Sequence, residues 1–427
     1  MAVEVRVSTR DLQSDFEQVF DELGERGDLV WVDVGEQRFL LVNGADEVGE
    51  VLVERSDVLV KPHVQSIEIG PPEPERSDGA IPFQPFRRAL ARSLAGSTLV
   101  AASVDAVVAA VAAETAGWRP GGTVDLMPAL RRLAIATVVA GPFASRIDDR
   151  DVAVVDEALR WIDGVPRVTS PKLRLRGRLS RHGLRARYVQ ERLAEVARRL
   201  LENVDRSRQS ELTAVLVDLP RIAPDLPAAR AAQLVGELLI GGAGPLTQTA
   251  GWALLRLAEE PYDLRAEWAE VLGDEPVSGA ALALLPRTEA FVREVTRLHP
   301  TNPRITRAAI GETTVGGEHV PERTRVILNV NHLNRDPRFY DDPERFDPDR
   351  WLQGRPNAHK FAYVSFGVGE RRCLGESVAL ASLAAMLVEL ARRFDIRFES
   401  ARVSTAGRRQ LEEGTRVTLG TTHVPGT

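Results

Sequence analysis

Hydrophobic spacing divides the chain into a short mixed region, a long helical body and a mixed C-terminal part. Residues 11 to 24 place Leu12, Phe16, Val19, Phe20 and Leu23 three and four positions apart, which predicts an amphipathic helix stopped by Gly24. LVWVDV and RFLLVN, separated by a turn at Gly35, predict a β-hairpin, and ADEVGEVLVE returns to helix. The stretch GPPEPERSDGAIPFQP, residues 70 to 85, holds five prolines and clustered charges, which predicts an exposed loop. Loops of that length commonly carry function. From Pro85 to about Leu298 helical spacing dominates, over 86–116, 127–139, 151–163, 183–206, 227–259 and 285–298. Extended patterns return only in TTVGGEHVP, TRVILNVN, FDIRF and RVTLGTT, too few for a sandwich. The expected class is mainly α: a large helical body with small β-sheets near the N-terminus and in the C-terminal half. No repeat, low-complexity tract or linker divides it, so residues 1–427 are expected to form a single domain, with 1–10 a flexible N-terminus.

Composition narrows the function classes. The 55 basic and 61 acidic side chains are interspersed and leave a formal charge of −6, which argues against a dedicated nucleic-acid binder. A single cysteine cannot form an internal disulfide, and Glu4, Arg6, Arg10, Asp11, Asp15 and Glu17 occupy the place of an apolar signal core. No unbroken apolar run approaches the roughly 20 residues of a membrane span. The expectation is a cytoplasmic, soluble monomer with no nucleic-acid or membrane partner. KLRLRGRLSRHGLRAR, residues 172–187, carries seven Lys or Arg side chains and is read as a solvated face, with a nucleic-acid or carrier-protein surface as the alternative.

The cysteine sits in FGVGERRCLG, residues 366–375, behind Arg371 and Arg372 and ahead of the strong helix pattern ESVALASLAAMLVELARR. Adjacent cations and a helix N-terminus both favour thiolate. Gly367, Gly369 and Gly375 let the backbone turn tightly and approach a flat, bulky group. A lone cysteine is more often a small buried hydrophobe, so its surroundings must decide.

Those surroundings resemble the haem-binding loop of cytochromes P450, with Phe366, Gly369, Arg371, Cys373 and Gly375 at every fixed place of the pattern. Upstream, EVTRLHP supplies Glu294 and Arg297 at Glu-x-x-Arg spacing, on one helical face. DDPERFDPDRW supplies Arg345, which resembles the arginine that closes the family's buried Glu-Arg-Arg cluster. The likeness runs from about residue 12 to the C-terminus. It implies the P450 fold, haem b as cofactor, and Cys373 as its axial thiolate, which enriches the iron in electron density and favours O–O cleavage. Family position also makes Arg371 and Arg307 candidates for the haem propionates, since arginine forks suit carboxylates, with Arg88 and Arg92 as further candidates.

The distal helix departs from the family pattern. Its usual signature is Ala-Gly-x-Asp/Glu-Thr, whose acid and alcohol deliver protons during oxygen activation. Here the stretch reads LLIGGAGPLTQTAGW. In one register Thr247 takes the alcohol position and Leu246 replaces the acid; in another the signature falls on Gly241 to Leu246 and both groups are gone. Pro245 kinks the helix, and with Gly241, Gly242 and Gly244 it forms a groove. Thr247, Gln248 and Thr249 are the candidate relay. By analogy the substrate pocket draws on residues 63–85, on Ile240, Gly241, Ala243 and Gly244, and on Asn302 and Arg304 of TNPRIT.

Three functions stay open at this level. The first is a monooxygenase of a medium-sized, mostly apolar, natural-product-like molecule, fed by a separate ferredoxin and NAD(P)H-dependent reductase. The second is a peroxide-driven, coupling or desaturating haem-thiolate enzyme, and the third a non-catalytic haem protein that binds a ligand.

Overall fold

The computed structural model describes residues 2–14, 16–62, 67–68, 90–91, 94, 96–163, 168–169, 181–205, 228–354, 359–404 and 409–421. Its mixed sheet is built from β1 (Val3–Val7), β2 (Leu29–Val34), β3 (Gln37–Val42) and β4 (Leu59–Val60), with two strands from far along the chain. The helical body comprises α1 (Thr9–Ser14), α2 (Phe16–Gly24), α3 (Ala45–Gly49), α4 (Ser97–Thr115), α5 (Leu126–Ala140), α6 (Asp149–Asp163), α7 (Arg181–Glu202), α8 (Ala228–Glu259), α9 (Arg265–Leu272), α10 (Pro286–Leu298) and α11 (Glu376–Arg393). The distant sheet strands are β6 (Arg304–Ala309) and β7 (Arg325–Asn329), and the order across the sheet is β1-β2-β3-β7-β6-β4. A second sheet joins β5 (Thr123–Asp125) to β8 (Asp395–Ser400) and β11 (Arg416–Gly420), while β9 (Val403–Ser404) pairs with β10 (Gln410–Leu411).

The N-terminal expectation is corrected. Residues 3–7 form an ordered edge strand parallel to β2, with Val3 opposite Val30 and Val7 opposite Val34. The alternation Val3, Val5, Val7 is a strand signal that its flanking charges obscured. The hairpin β2–β3 forms as expected around Gly35, whose φ of +61° favours glycine. ADEVGEVLVE begins as α3 but widens at Glu50–Glu54 into a π-turn.

Residue alternation along β6 separates its two arginines. Residues 304 and 307 differ by an odd number and project from opposite faces. Arg304 lies over the Phe16 and Phe20 rings at 4.5 and 4.9 Å and pairs with buried Glu17. Arg307 shares its face with Ile305 and Ala309, which join the cluster of Leu52, Phe361, Val364 and Val368 on the side of the cysteine loop.

In the helical body α8 packs against α5, α7, α10 and α11. Phe291, Val295, Ala385 and Leu390 lie fully buried between them. Among the described residues, α4 is long and apolar enough to cross a membrane, a property the sequence reading did not credit. Here it is a core helix: Leu99, Val104, Val107 and Val111 are buried, and the helix packs on α5 and α11.

Candidate haem-thiolate site

The cysteine loop is shaped by two left-handed glycines. Gly367 and Gly369 have φ of +68° and +69°, and a Cβ on Gly369 would stand 2.4 Å from the Leu52 carbonyl oxygen. The π-turn that carries Leu52 therefore presses its backbone against the turn Gly369–Arg371. The Cys373 amide donates to the Phe366 carbonyl at 2.7 Å, closing the loop and leaving the cysteine exposed. Arg371 is half-buried, and exposed Arg372 pairs with Glu376 in the first turn of α11 at 2.7 Å.

Side chains behind the loop hold it on α10. The Ser365 hydroxyl donates to the Thr296 carbonyl at 2.9 Å and accepts from Asn334 at 2.8 Å. Phe366 packs on Tyr363, which stands edge-on to Trp351. The Tyr363 hydroxyl lies 2.6 Å from Thr296 Oγ1, and burial pushes the phenol pKa up to about 12.

Glu294 and Arg297 meet as the sequence predicts. Both are fully buried, and the guanidinium grips both carboxylate oxygens at 2.7 and 2.8 Å. Burial alone raises the Glu294 pKa, yet the Arg297 fork, the Asp347 amide and the Trp351 indole N–H outweigh it and hold the carboxyl below its ordinary value. Arg297 also donates to the carbonyls of Asn334, Pro343 and Arg345.

The third arginine is not the expected one. Arg345 points outward, its side chain 66% exposed and 3.6 Å from Asp347, and it offers the cluster only its carbonyl. Arg350, five residues on and 8% exposed, donates to Glu294 at 3.0 Å. Arg350 and Trp351 are the cluster members that sequence reasoning missed. The available signal was Asp347-Pro348-Asp349: Asp347 caps a 3₁₀ turn over Pro348–Trp351, which turns Arg350 and Trp351 inward together.

On α8, from Ala232 to Ala250, the fully exposed positions form one stripe. Gln233, Glu237 and Gly241 are exposed, Gly244 and Pro245 half-buried, whereas Thr247, Gln248 and Thr249 are buried at 2, 7 and 4% exposure. Thr247 Oγ1 donates back to the Ala243 carbonyl at 2.8 Å. Gln248 donates to the Leu411 carbonyl at 3.1 Å and accepts from the Leu411 amide at 3.0 Å, pairing with β10 as a strand residue would. The expected relay is thereby corrected for Gln248, whose amide is committed to the C-terminal hairpin, while Thr247 and Thr249 lie on the buried face.

The expected pocket residues divide in the same way. Gly241 is exposed, with open space where a Cβ would stand, and Gly244 and Ile240 are half-buried. Ala243 is fully buried in the core and does not belong to the lining. Arg304 is withdrawn because its charge is spent on Glu17 and the Phe16 and Phe20 rings. Asn302 is exposed beside it. Arg88, Arg92 and most of the 63–85 loop lie outside the described residues. A cavity of about 590 Å³ opens elsewhere, at the C-terminal end of α8 between Tyr262–Arg265 and Phe394–Phe398.

Comparison with known proteins agrees with this geometry. The sequence model of the cytochrome P450 family matches residues 4–408. Cyclooctat-9-en-7-ol 5-monooxygenase of Streptomyces melanosporofaciens is 26% identical over 89% of this chain and 85% of its own length. The mitochondrial 25-hydroxyvitamin D-1 alpha hydroxylase of Homo sapiens is 33% identical over 50% of this chain and 42% of its own, and ferruginol synthase of Salvia miltiorrhiza 32% identical over 40% and 36%. The chain is an oxidoreductase of the monooxygenase class. It belongs to the cytochrome P450 family, whose cofactor is a haem bound through cysteine thiolate.

The residues present fit that group. Cys373 is exposed at the tip of a loop closed by its own amide, and an added Cβ at Gly375 would meet open space. Gly241 offers the same bare backbone on the helix that packs against α11.

Proposed function

We propose that the chain is a soluble, cytoplasmic, monomeric haem-thiolate monooxygenase that oxidises a medium-sized, mostly apolar, natural-product-like molecule. Electrons come from a separate ferredoxin and NAD(P)H-dependent reductase, and neither nucleic acid nor membrane is a partner. The observation that carries the reading is the exposed Cys373 held forward by Gly367 and Gly369 in front of α11. Haem b, when bound through that sulfur, supplies oxygen activation. The chain holds the group and shapes the space above it. The α11 dipole and the neighbouring arginines favour the thiolate, while Arg371 and Arg307 are assigned to the propionates. For Arg307 the support is sheet parity, which sets it on the face shared with Val364 and Val368.

The distal signature is read as beginning at Gly241, because the accessible stripe runs through Gly241, Gly244 and Pro245. The positions of acid and alcohol are then Gly244 and Pro245. This favours a second reading, an enzyme driven by peroxide or one that couples or desaturates its substrate.

The test is reconstitution with hemin. A thiolate-type Soret band on reduction under carbon monoxide, lost in Cys373→Ser, is expected; retention of the band in that variant overturns the reading. Candidate ligands, starting with cyclooctat-9-en-7-ol, are then screened by Soret shift. Turnover of a hit with labelled dioxygen separates the two readings: label in the product supports oxygen insertion, while turnover with peroxide alone or unlabelled product supports the second.

A further inference from the structure

Oxygen insertion consumes protons: RH, O2, two electrons and two protons give ROH and water. The same electrons and protons leave as hydrogen peroxide unless both protons reach one oxygen atom. Proton supply to the haem-thiolate site at Cys373 therefore decides the product, and neither Gly244 nor Pro245 has a side chain that can provide it.

Two groups on the accessible stripe of α8 can serve together, one as the proton donor and one as the acceptor that holds a water. Glu237 is exposed and is the first acid in this 32-residue helix, with the next at Glu259. It precedes Gly241 by four residues, hence on the same face and about 6 Å along the axis. The second group is the Gly241 carbonyl. In an α-helix its partner is the amide of residue 245, and proline has none, so this carbonyl has no donor at that position. Gly241 is exposed with open space at its Cβ position, while Val138 of α5 lies against Gly242 and Leu159 of α6 against Gly244. The neighbouring helices thus wall the flanks and leave the Gly241 backbone open.

We propose that Glu237 and the Gly241 carbonyl together replace the missing acid and alcohol. A water that donates to the freed carbonyl takes a proton from the Glu237 carboxyl and passes it toward the haem-thiolate site, and solvent returns the proton to Glu237. One or two waters span the separation. Pro245 is a positioning residue in this arrangement, since it acts only by withholding an N–H. The inference rests on the monooxygenase reading above, and the experiment keeps the two apart.

Haem-loaded protein is supplied with a [2Fe–2S] ferredoxin, its reductase and NADPH, without substrate, so that dioxygen is reduced to peroxide by two electrons or to water by four. Glu237→Gln and Pro245→Ala are expected to raise the peroxide released per NADPH to near one and to lower water formation about tenfold, the low end for a lost general acid. Glu237→Asp retains the wild-type ratio. The thiolate-type Soret band on reduction under carbon monoxide is retained in all variants, which separates a change in proton delivery from a loss of haem. Hydrogen exchange across residues 241–249 slows in Pro245→Ala, whose new N–H closes onto Gly241. The proposal is overturned if Glu237→Gln keeps the wild-type peroxide ratio, if Glu237→Asp behaves like the glutamine variant, or if exchange in Pro245→Ala is unaltered. Absence of a thiolate Soret band in the parent would instead overturn the monooxygenase reading.

Discussion

Replacing Arg350 by alanine should damage the protein while the same change at Arg345 should not, although Arg345 stands in the better-known sequence context. Arg350 donates to fully buried Glu294 at 3.0 Å from a side chain that is itself 8% exposed. Charge-assisted hydrogen bonds to buried groups are worth about 1.5–3 kcal/mol. The loss does not reach the roughly 3–5 kcal/mol of an orphaned buried charge, because Glu294 keeps the Arg297 fork, the Asp347 amide and the Trp351 indole. Arg345 is 66% exposed and 3.6 Å from Asp347, a surface pair worth about 0–1 kcal/mol. Its carbonyl, which does serve Arg297, survives substitution. Side-by-side thermal melts of the haem-loaded variants, with retention of the carbon monoxide band after mild heating, read the difference. A cofactor-bound chain of this size does not unfold as one two-state unit, so the ranking is the measurement. Equal damage from the two alanines, or greater damage at Arg345, would refute the assignment of Arg350 to the cluster.

Gln248→Ala should cost about 1–3 kcal/mol by unpairing both polar groups of Leu411, and hydrogen exchange at residues 410–411 should quicken; lost turnover with unchanged exchange would return Gln248 to the reaction. Gly369→Ala should abolish haem retention, since its φ of +69° and the 2.4 Å approach to the Leu52 carbonyl exclude a Cβ, whereas Gly375→Ala should be mild because its Cβ meets open space. His299 is stacked on Trp252 at 3.9 Å and accepts from Arg256 at 3.1 Å; burial first, then Arg256, holds its pKa well below the ordinary 6.5. The unfolded chain binds the proton more readily, so this group lowers stability as pH falls below about 6.5 and costs nothing above it. His299→Gln should therefore flatten the fall in urea midpoint between pH 7 and 5, and an unchanged slope would count against a neutral buried imidazole.

What the sequence disclosed and what it withheld divide along a physical line. Periodicity located α5, α6, α8, α10 and α11 within a few residues, because each buries one apolar face and the pattern records that burial locally. The cysteine loop was legible because its requirements are local too: a sulfur, a helix start and glycines at positive φ all fall within ten residues. The failures concern where a side chain points once distant segments meet. Arg345 and Arg350 differ in sequence by five positions and in role by a 3₁₀ turn, and only the capped Pro348 turn decides which faces Glu294. Arg304 had the composition of a pocket cation, but its destination was set by α2, whose Glu17 and phenylalanine rings lie nearly three hundred residues earlier in the chain. Gln248 was likewise drawn off the expected relay by a strand that pairs with it across 163 residues. Pro245 is the opposite case, since its lack of an N–H is covalent and opens the Gly241 carbonyl in any packing that keeps α8 helical. On the proposal made above, proton delivery in this chain therefore rests more on a missing donor than on any side chain the helix displays.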